Sequence, residues 1–224
     1  MTAQAGAYRT QVRSPAGRVQ RGLEQLYRVA TEVAVDDFMI DAPTRDGLVH
    51  ERRPREQLLV VEEGGEMSLA LFVDPDALAN LAQHDPSRML GDHNLGDFLL
   101  VVEGVSHFIY AVCCARAERP VSQLELELQA EVDKYVTCLL VTGPELRQSA
   151  AWRERLFAEP LYDEDLDADE RDRYRAANDN ANRYALFLET EFVARRRIPA
   201  MLGHLRRFYR DGLAAKLSTI ARAA

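Results

Sequence analysis

One segment of the sequence constrains the fold more than any other, because it is apolar on nearly every side of a helical wheel. It runs from Phe98 to Ala115 and contains a single carboxylic acid, Glu103, and a single histidine, His107. A helix with this pattern is buried on most of its surface. Its uncharged stretches, 98–102 and 108–115, are well short of the ~20 residues of a membrane span, so we expect a core helix and no membrane association.

The rest of the sequence predicts an α+β fold that is predominantly helical. Apolar residues recur every three or four positions from Arg18 to Phe38, which predicts an amphipathic N-terminal helix. We expect a small antiparallel β-hairpin or sheet near residues 45–73, packed with a C-terminal helical bundle over residues 94–211.

The domain organisation predicted from the sequence is simple. Residues 1–15 are small and polar without a period, and we expect a flexible tail there. Residues 16–224 are expected to form a single domain, since no linker composition interrupts them. The alternative is a pair of sub-lobes, 16–90 with a helix and the hairpin, and 91–224 with the bundle.

Glycines mark the turn of the predicted hairpin. Gly64 and Gly65 separate two β-rich runs, and glycine supplies the positive φ of a tight turn. A lone hairpin is marginally stable, so a third strand near residues 48–50 or a covering helix should complete it. Asp74 followed by Pro75 has the pattern of an N-cap and first helical residue.

Further capping residues divide the bundle into helices. Asn94 is positioned to cap the apolar helix, and Pro120 marks the break after it. Ser122 and Glu125 have the spacing of a capping box, so the next helix returns antiparallel to the first. Helices over about 168–195 and 198–211 are expected to complete the chain.

The apolar helix also carries the strongest candidate for chemistry. Glu103 and His107 lie four residues apart on one face, with Gly104 between them, which indicates that something packs closely against that turn. A hairpin centred near residue 120 places Glu131 and Tyr135 of the next helix close to their level.

Two interpretations of this group remain open. Glu103, His107 and Glu131 are candidate metal ligands, and with Tyr135 or Tyr110 they are candidate catalytic acids and bases. The more common outcome for such a group is a buried ion-pair network that fixes how helices meet. The spacing differs from the Glu-x-x-His of carboxylate-bridged di-iron bundles.

Charge is distributed unevenly along the chain. The 28 basic and 36 acidic residues give a net charge of −8, with an acidic stretch at 159–172. Near the C-terminus a basic run could bind an anion, nucleic acid or an acidic partner, although a solvated helix face is the more common explanation. Its candidate residues are Arg195, Arg196, Arg197, Arg206, Arg207 and Arg210.

Composition gives the expected cellular context. The three cysteines, two of them adjacent, fit reduced thiols and a cytoplasmic location better than a disulfide framework. Only two of the 28 basic residues are lysines, Lys134 and Lys216, a skew that indicates coding bias in a GC-rich bacterial genome.

The sequence contains none of the standard metalloprotease, phosphate-loop, dinucleotide-binding or nucleophile-elbow motifs. We therefore expect a non-catalytic intracellular interaction or regulatory protein that binds a protein partner or forms a homo-oligomer through helical surfaces. The alternative is a helical-bundle enzyme or metal-binding protein with a buried Glu/His site. Nucleic-acid binding by the C-terminal arginines is a third, less favoured, hypothesis.

Overall fold

The computed structural model describes residues 14–49, 53–64, 66–160 and 166–223, and has the α+β, predominantly helical fold that the sequence predicts. The predicted tail lies almost wholly outside these residues. The helices are α1 (Pro15–Tyr27), α2 (Ala42–Leu48), α3 (Pro75–Gln83), α4 (Leu95–Arg116), α5 (Gln123–Thr142), α6 (Leu146–Phe157), α7 (Ala168–Leu188), α8 (Ile198–Arg210) and α9 (Leu213–Ala223). The strands are β1 (Met39–Ile40), β2 (Glu56–Glu63) and β3 (Glu66–Val73).

The sheet is mixed, with strand order β1-β3-β2. Strands β2 and β3 form the predicted hairpin, and Gly64 has a φ of 62° at its turn. The third strand is Met39–Ile40, not a strand near 48–50, and it pairs parallel to β3, so the sheet is mixed around the predicted antiparallel hairpin. The covering helix expected as the alternative is present as well, because α4 packs on both strands of the hairpin. Leu48 instead ends α2, because Asp41 caps that helix by accepting a hydrogen bond from Thr44 N, and His50 lies outside the described residues.

Helix α1 ends at Tyr27 and does not extend to Phe38 as predicted. Arg28 adopts a left-handed conformation with φ 53°, and its N–H donates to Glu24 O, which terminates the helix. The chain then folds back on α1, where Gln20 Nε2 donates to Val33 O at 2.7 Å. A short 3₁₀ turn over Val35–Phe38 leads into β1.

Helix α4 is the centre of the core, as its apolar pattern predicts, and it packs on α1, α3, α5 and both long strands. Its 22 residues are, by length and composition, long and apolar enough to cross a membrane. The sequence predicted a shorter apolar segment, because only its uncharged stretches were considered. However, 72% of its most apolar 18-residue stretch is buried inside the protein, as in the core helix of a folded domain. Asn94 precedes α4 but does not cap it, because its side chain bonds the loop at His84, Met89 and Gly91.

The bundle is built on the predicted hairpin of α4 and α5, with α7 packed on α5. Contacts from Ser106 to Asp133 and from Tyr110 to Glu125 show that the two helices run antiparallel. The prediction that the helix over 198–211 completes the chain is wrong. Helix α9 follows it after Gly212 and buries Lys216 and Ile220.

Candidate metal centre

A cavity of about 620 Å³ lies between strand β2 and the helical bundle. Strand β2 contributes Glu56 and Gln57, and α4 contributes Glu103 and His107. Helix α5 and the segments around α6 and α7 supply other parts of the wall, including Glu127, Glu131, Lys134, Leu156, Leu166 and Tyr174. The cavity therefore gathers three of the four residues that the sequence singled out, Glu103, His107 and Glu131.

His107 is 7% exposed and has a carboxylate near each ring nitrogen. Its Nδ1 is 3.7 Å from Oε1 of Glu56, and its Nε2 is 3.5 Å from Oε2 of Glu127. Among the described residues, His107 Nε2 and Glu56 Oε1 are buried atoms with no hydrogen-bond partner. Such atoms are rare in folded proteins, and here they border a cavity that has room for a ligand.

Lys134 separates two of the other carboxylates. Its ammonium lies 2.9 Å from Glu103 Oε2 and 2.7 Å from Glu131 Oε1, so one cation is shared by two acids. Glu131 and Glu103 are both paired with Lys134, and of these two only Glu103 belongs to the cluster of possible ligand atoms described next.

Within the part of the chain that the structure describes, Glu103, His107 and Glu127 form a group that could hold a metal ion. Each offers one ligand atom, and these atoms lie within 4.8 Å of one another. One imidazole and two carboxylates are ligands that suit divalent first-row metals such as Mn²⁺, Fe²⁺ and Zn²⁺. Three protein ligands beside a cavity would leave coordination positions for water or a substrate.

Burial and charge oppose each other in the ionisation of these groups. Burial lowers the pKa of His107, but Glu127 and Glu56 outweigh it and raise the pKa well above 6.5. Burial raises the pKa of Glu56 and of Glu131. Burial also acts to raise the pKa of Glu103, yet Lys134 and His107 bring it below its ordinary value. Each buried carboxylate thus depends on a neighbouring cation to remain ionised.

Close packing explains why residue 104 is a glycine, as its position between Glu103 and His107 predicts. A Cβ atom at residue 104 would lie 2.8 Å from both Cγ and Oε1 of Glu56 and 3.1 Å from Cδ1 of Leu71. Only glycine allows strand β2 to bring the Glu56 carboxylate this close to α4. Gly104 therefore leaves the space that the Glu56 side chain occupies beside α4.

We expect Gly104→Ala to lower the free energy of unfolding by about 1–3 kcal/mol, although alanine is the better helix former. The methyl group would displace Glu56 and Leu71. Gly96→Ala is the matched control on the same helix, because a Cβ there meets nothing within 4 Å. It should be neutral or stabilising by up to about 1 kcal/mol. Equal effects of the two substitutions in urea denaturation would contradict the packing argument.

The two candidate tyrosines lie outside the cavity. Tyr135 points toward α6, where its hydroxyl is 2.6 Å from Ser149 Oγ. Tyr110 donates to Glu125 Oε1 at 2.7 Å, and Arg119 binds the same oxygen at 2.6 Å. The structure does not bring either tyrosine to Glu103 and His107, because each lies further along its helix and its hydroxyl bonds a residue outside the cavity. The capping box is half formed, since Ser122 accepts from Glu125 N while the Glu125 carboxylate is used in this buried network.

Two of the candidate arginines cap the end of α1. Arg206 Nε donates to Leu26 O at 2.8 Å, and Arg210 Nη2 donates to Tyr27 O and Arg28 O at 3.1 Å each. These carbonyls lie at the helix C-terminus, where the backbone offers them no intrahelical N–H donor. Both guanidinium groups thus have a structural use.

The other four candidate arginines are exposed. Arg195 pairs with Glu191 at 2.9 Å, within the π-helical turn region that follows α7. Arg196 has a positive φ of 54°, and Arg197 precedes the first residue of α8. Arg207 lies on the outer face of α8. The structure therefore splits the six arginines into two that bond α1 and four on the surface.

Three important residues of the cavity were not predicted. Glu127 and Lys134 carry a signal that the sequence does contain, because Glu127, Glu131 and Lys134 recur at i, i+4 and i+7 on one helix face. Glu56 carries no such signal. It begins a strand and reaches α4 only through the tertiary packing at Gly104.

Comparison with known proteins gives no relative, since no family model, no curated protein and no solved structure matches this chain. The geometry of the cavity is therefore the basis for a function of this protein.

Proposed function

We propose that this protein binds one divalent metal ion through Glu103, His107 and Glu127, with coordination positions left open to the cavity. One observation carries the proposal: three ligand atoms lie within 4.8 Å of one another, and one of them, His107 Nε2, is buried without a hydrogen-bond partner. A structural ion-pair network would be expected to satisfy that nitrogen.

The charge of the cavity supports the same proposal. Five carboxylates among the described residues line it, and with Arg55, Lys134 and a protonated His107 two negative charges remain uncompensated when all acids are ionised. Uncompensated buried charge is unfavourable. A divalent cation that replaces the proton on Nε2 of His107 would compensate much of it. The acids are Glu56, Glu103, Glu127, Glu131 and Glu170.

Glu56 is suited to position His107 for coordination. Metal-bound histidines usually direct their second ring nitrogen at a carboxylate or carbonyl oxygen, which fixes the tautomer and the ring orientation. Glu56 faces Nδ1 at 3.7 Å, on the opposite side of the ring from Glu127. We therefore assign Nε2 of His107 as the ligand atom and Glu56 as a positioning residue.

The test is titration of metal-free protein with Mn²⁺ and Zn²⁺ by isothermal calorimetry. We expect one ion per chain, and at least about tenfold weaker binding in Glu127→Gln. Glu131→Gln is the matched control, because it removes the same charge from the same cavity but is not one of the three ligands. It should weaken binding much less.

Two results would contradict the proposal. One is that the folded wild-type protein, checked by circular dichroism, binds neither ion. The other is that Glu127→Gln and Glu131→Gln weaken binding equally, since that would indicate general electrostatic attraction and no defined coordination.

Interaction through helical surfaces, self-association and nucleic-acid binding stay predictions. The exposed apolar side chains Leu48, Val60, Val61 and Met89 are compatible with a protein partner or a second copy. Arg195, Arg196, Arg197 and Arg207 remain exposed for an acidic partner. The metal site has the stronger physical support, because among the described residues the cavity brings together three possible ligand atoms of a metal ion.

A further inference from the structure

The cavity has much more space than a metal ion fills. Its volume is about 620 Å³, whereas one water molecule takes roughly 30 Å³ in the liquid. An ion with its remaining water ligands would thus occupy the minor part of the cavity. The rest is within the size range of sites for small organic molecules.

The polar part of the wall favours a ligand that donates hydrogen bonds. Oε1 of Gln57 is buried and has no hydrogen-bond partner among the described residues. With a divalent ion bound and His107 neutral, the five carboxylates among the described lining residues still exceed Arg55, Lys134 and the metal by one negative charge. One further positive charge would therefore bring the cavity to neutrality.

An anionic ligand would find few available cations along this wall. Lys134 is already held between Glu103 and Glu131. Arg55 bonds Asp74 at 2.7 Å and Asp97 at 3.0 Å. Arg55 and Lys134, the lysine and arginine side chains among the described residues of this wall, are therefore paired with acids of the protein.

Part of the remaining wall is apolar and would suit a hydrocarbon chain. Leu99 and Leu100 of α4 line it, together with Leu156 of α6 and Leu166, which precedes α7. An aliphatic chain attached to the cationic group would cover these side chains and exclude water from them.

We propose that the cavity binds a small aliphatic primary amine as its ammonium ion, with the ammonium donating to Gln57 Oε1 and the alkyl chain packed on the leucines. The charge balance rests on the proposed metal site, whereas the role of Gln57 does not. Gln57 selects the ligand and takes no part in holding the metal.

The test uses n-hexylammonium as the probe, with hexanoate and 1-hexanol as its anionic and neutral counterparts. Binding of each is measured by calorimetry to full-length protein, with and without saturating Mn²⁺. We expect hexylammonium to bind at least about tenfold more tightly than either counterpart. Gln57→Leu should weaken hexylammonium binding about tenfold and leave Mn²⁺ affinity unchanged, because Gln57 is not a ligand.

The outcomes separate the two proposals. If Mn²⁺ binds but hexylammonium does not, or binds no better than hexanol, the amine inference fails and the metal site stands. If hexylammonium binds with the expected dependence on Gln57 while Mn²⁺ does not bind, the metal proposal fails and the amine site stands. Hexylammonium binding that is indifferent to Gln57→Leu would overturn the placement proposed here.

Discussion

Replacing Asp133 by alanine is expected to lower the free energy of unfolding by about 3–5 kcal/mol. The residue is 1% exposed and lies where α1, α4 and α5 meet. It accepts hydrogen bonds from the hydroxyls of Tyr27 and Ser106 and from Nε2 of Gln129. Alanine would leave three buried donors without this acceptor. Urea denaturation followed by far-UV circular dichroism measures the loss.

Two comparison variants keep this result interpretable. Asp179→Ala removes an exposed aspartate from the middle of α7 and should change stability by no more than about 0.5 kcal/mol. Asp133→Asn retains one acceptor oxygen and should show an intermediate loss of unfolding free energy. The contribution of the network can therefore be measured even if the alanine variant does not fold. An Asp133→Ala effect as small as that of Asp179→Ala would show that the network contributes nothing to stability.

The second large effect concerns pH and Lys216. This lysine is fully buried in α9, donates to Gln129 Oε1 at 2.6 Å, and lies 4.2 Å from the centroid of the Tyr110 ring. Burial lowers its pKa to about 7, despite the opposing effects of Glu125 and Asp133. Between that value and the ordinary lysine pKa near 10.5, the unfolded chain binds a proton that the folded chain does not.

Stability from this group therefore rises with pH through that interval and is lowest below it. Between pH 7 and 8.5 we expect the wild type to gain about 1.5 kcal/mol relative to Lys216→Met, which has no titrating amine. Comparing the two proteins at each pH removes the contributions of the other titrating groups. Urea titrations across this range provide the measurement.

The decisive quantity is the slope of unfolding free energy against pH. The absolute stability is less informative, because methionine also leaves Gln129 without its hydrogen-bond donor. If wild type and Lys216→Met give parallel curves, the ammonium stays charged in the folded protein, balanced by Glu125 and Asp133, and the expected slope is wrong. Lys216→Arg should be strongly destabilised at every pH, since arginine cannot lose its proton.

The sequence predicted one side of the candidate site well, because that side is local. Glu103, Gly104 and His107 lie on one helix, so their spacing alone places them together. Glu127 was missed because the hairpin register was estimated from its loop, and an error of one helical turn exchanges Glu127 for Glu131. Glu56 could not be predicted, since only the packing of β2 on α4 brings it there.

The fold likewise divides into elements that could be predicted from local sequence and elements that depend on tertiary contacts. The hairpin and the core helix follow from residue patterns within single segments, and both are confirmed. The third strand, Met39–Ile40, has two residues, too few for a recognisable alternation, and its pairing depends on β3. Helix α9 was missed because its buried positions include a lysine, which weakens the apolar period that predicts a helix.

The hydrogen bonds from α8 to the end of α1 have a consequence for how the chain acquires its structure. Arg210 and Tyr27 are 183 positions apart, yet they are joined directly, and the Tyr27 ring stacks on Tyr209 with centroids 4.0 Å apart. Contacts of such long sequence separation slow folding, because the intervening chain must be ordered first. During translation the first helix emerges long before its partner, so α1 must wait for the last helices to leave the ribosome before its end is covered.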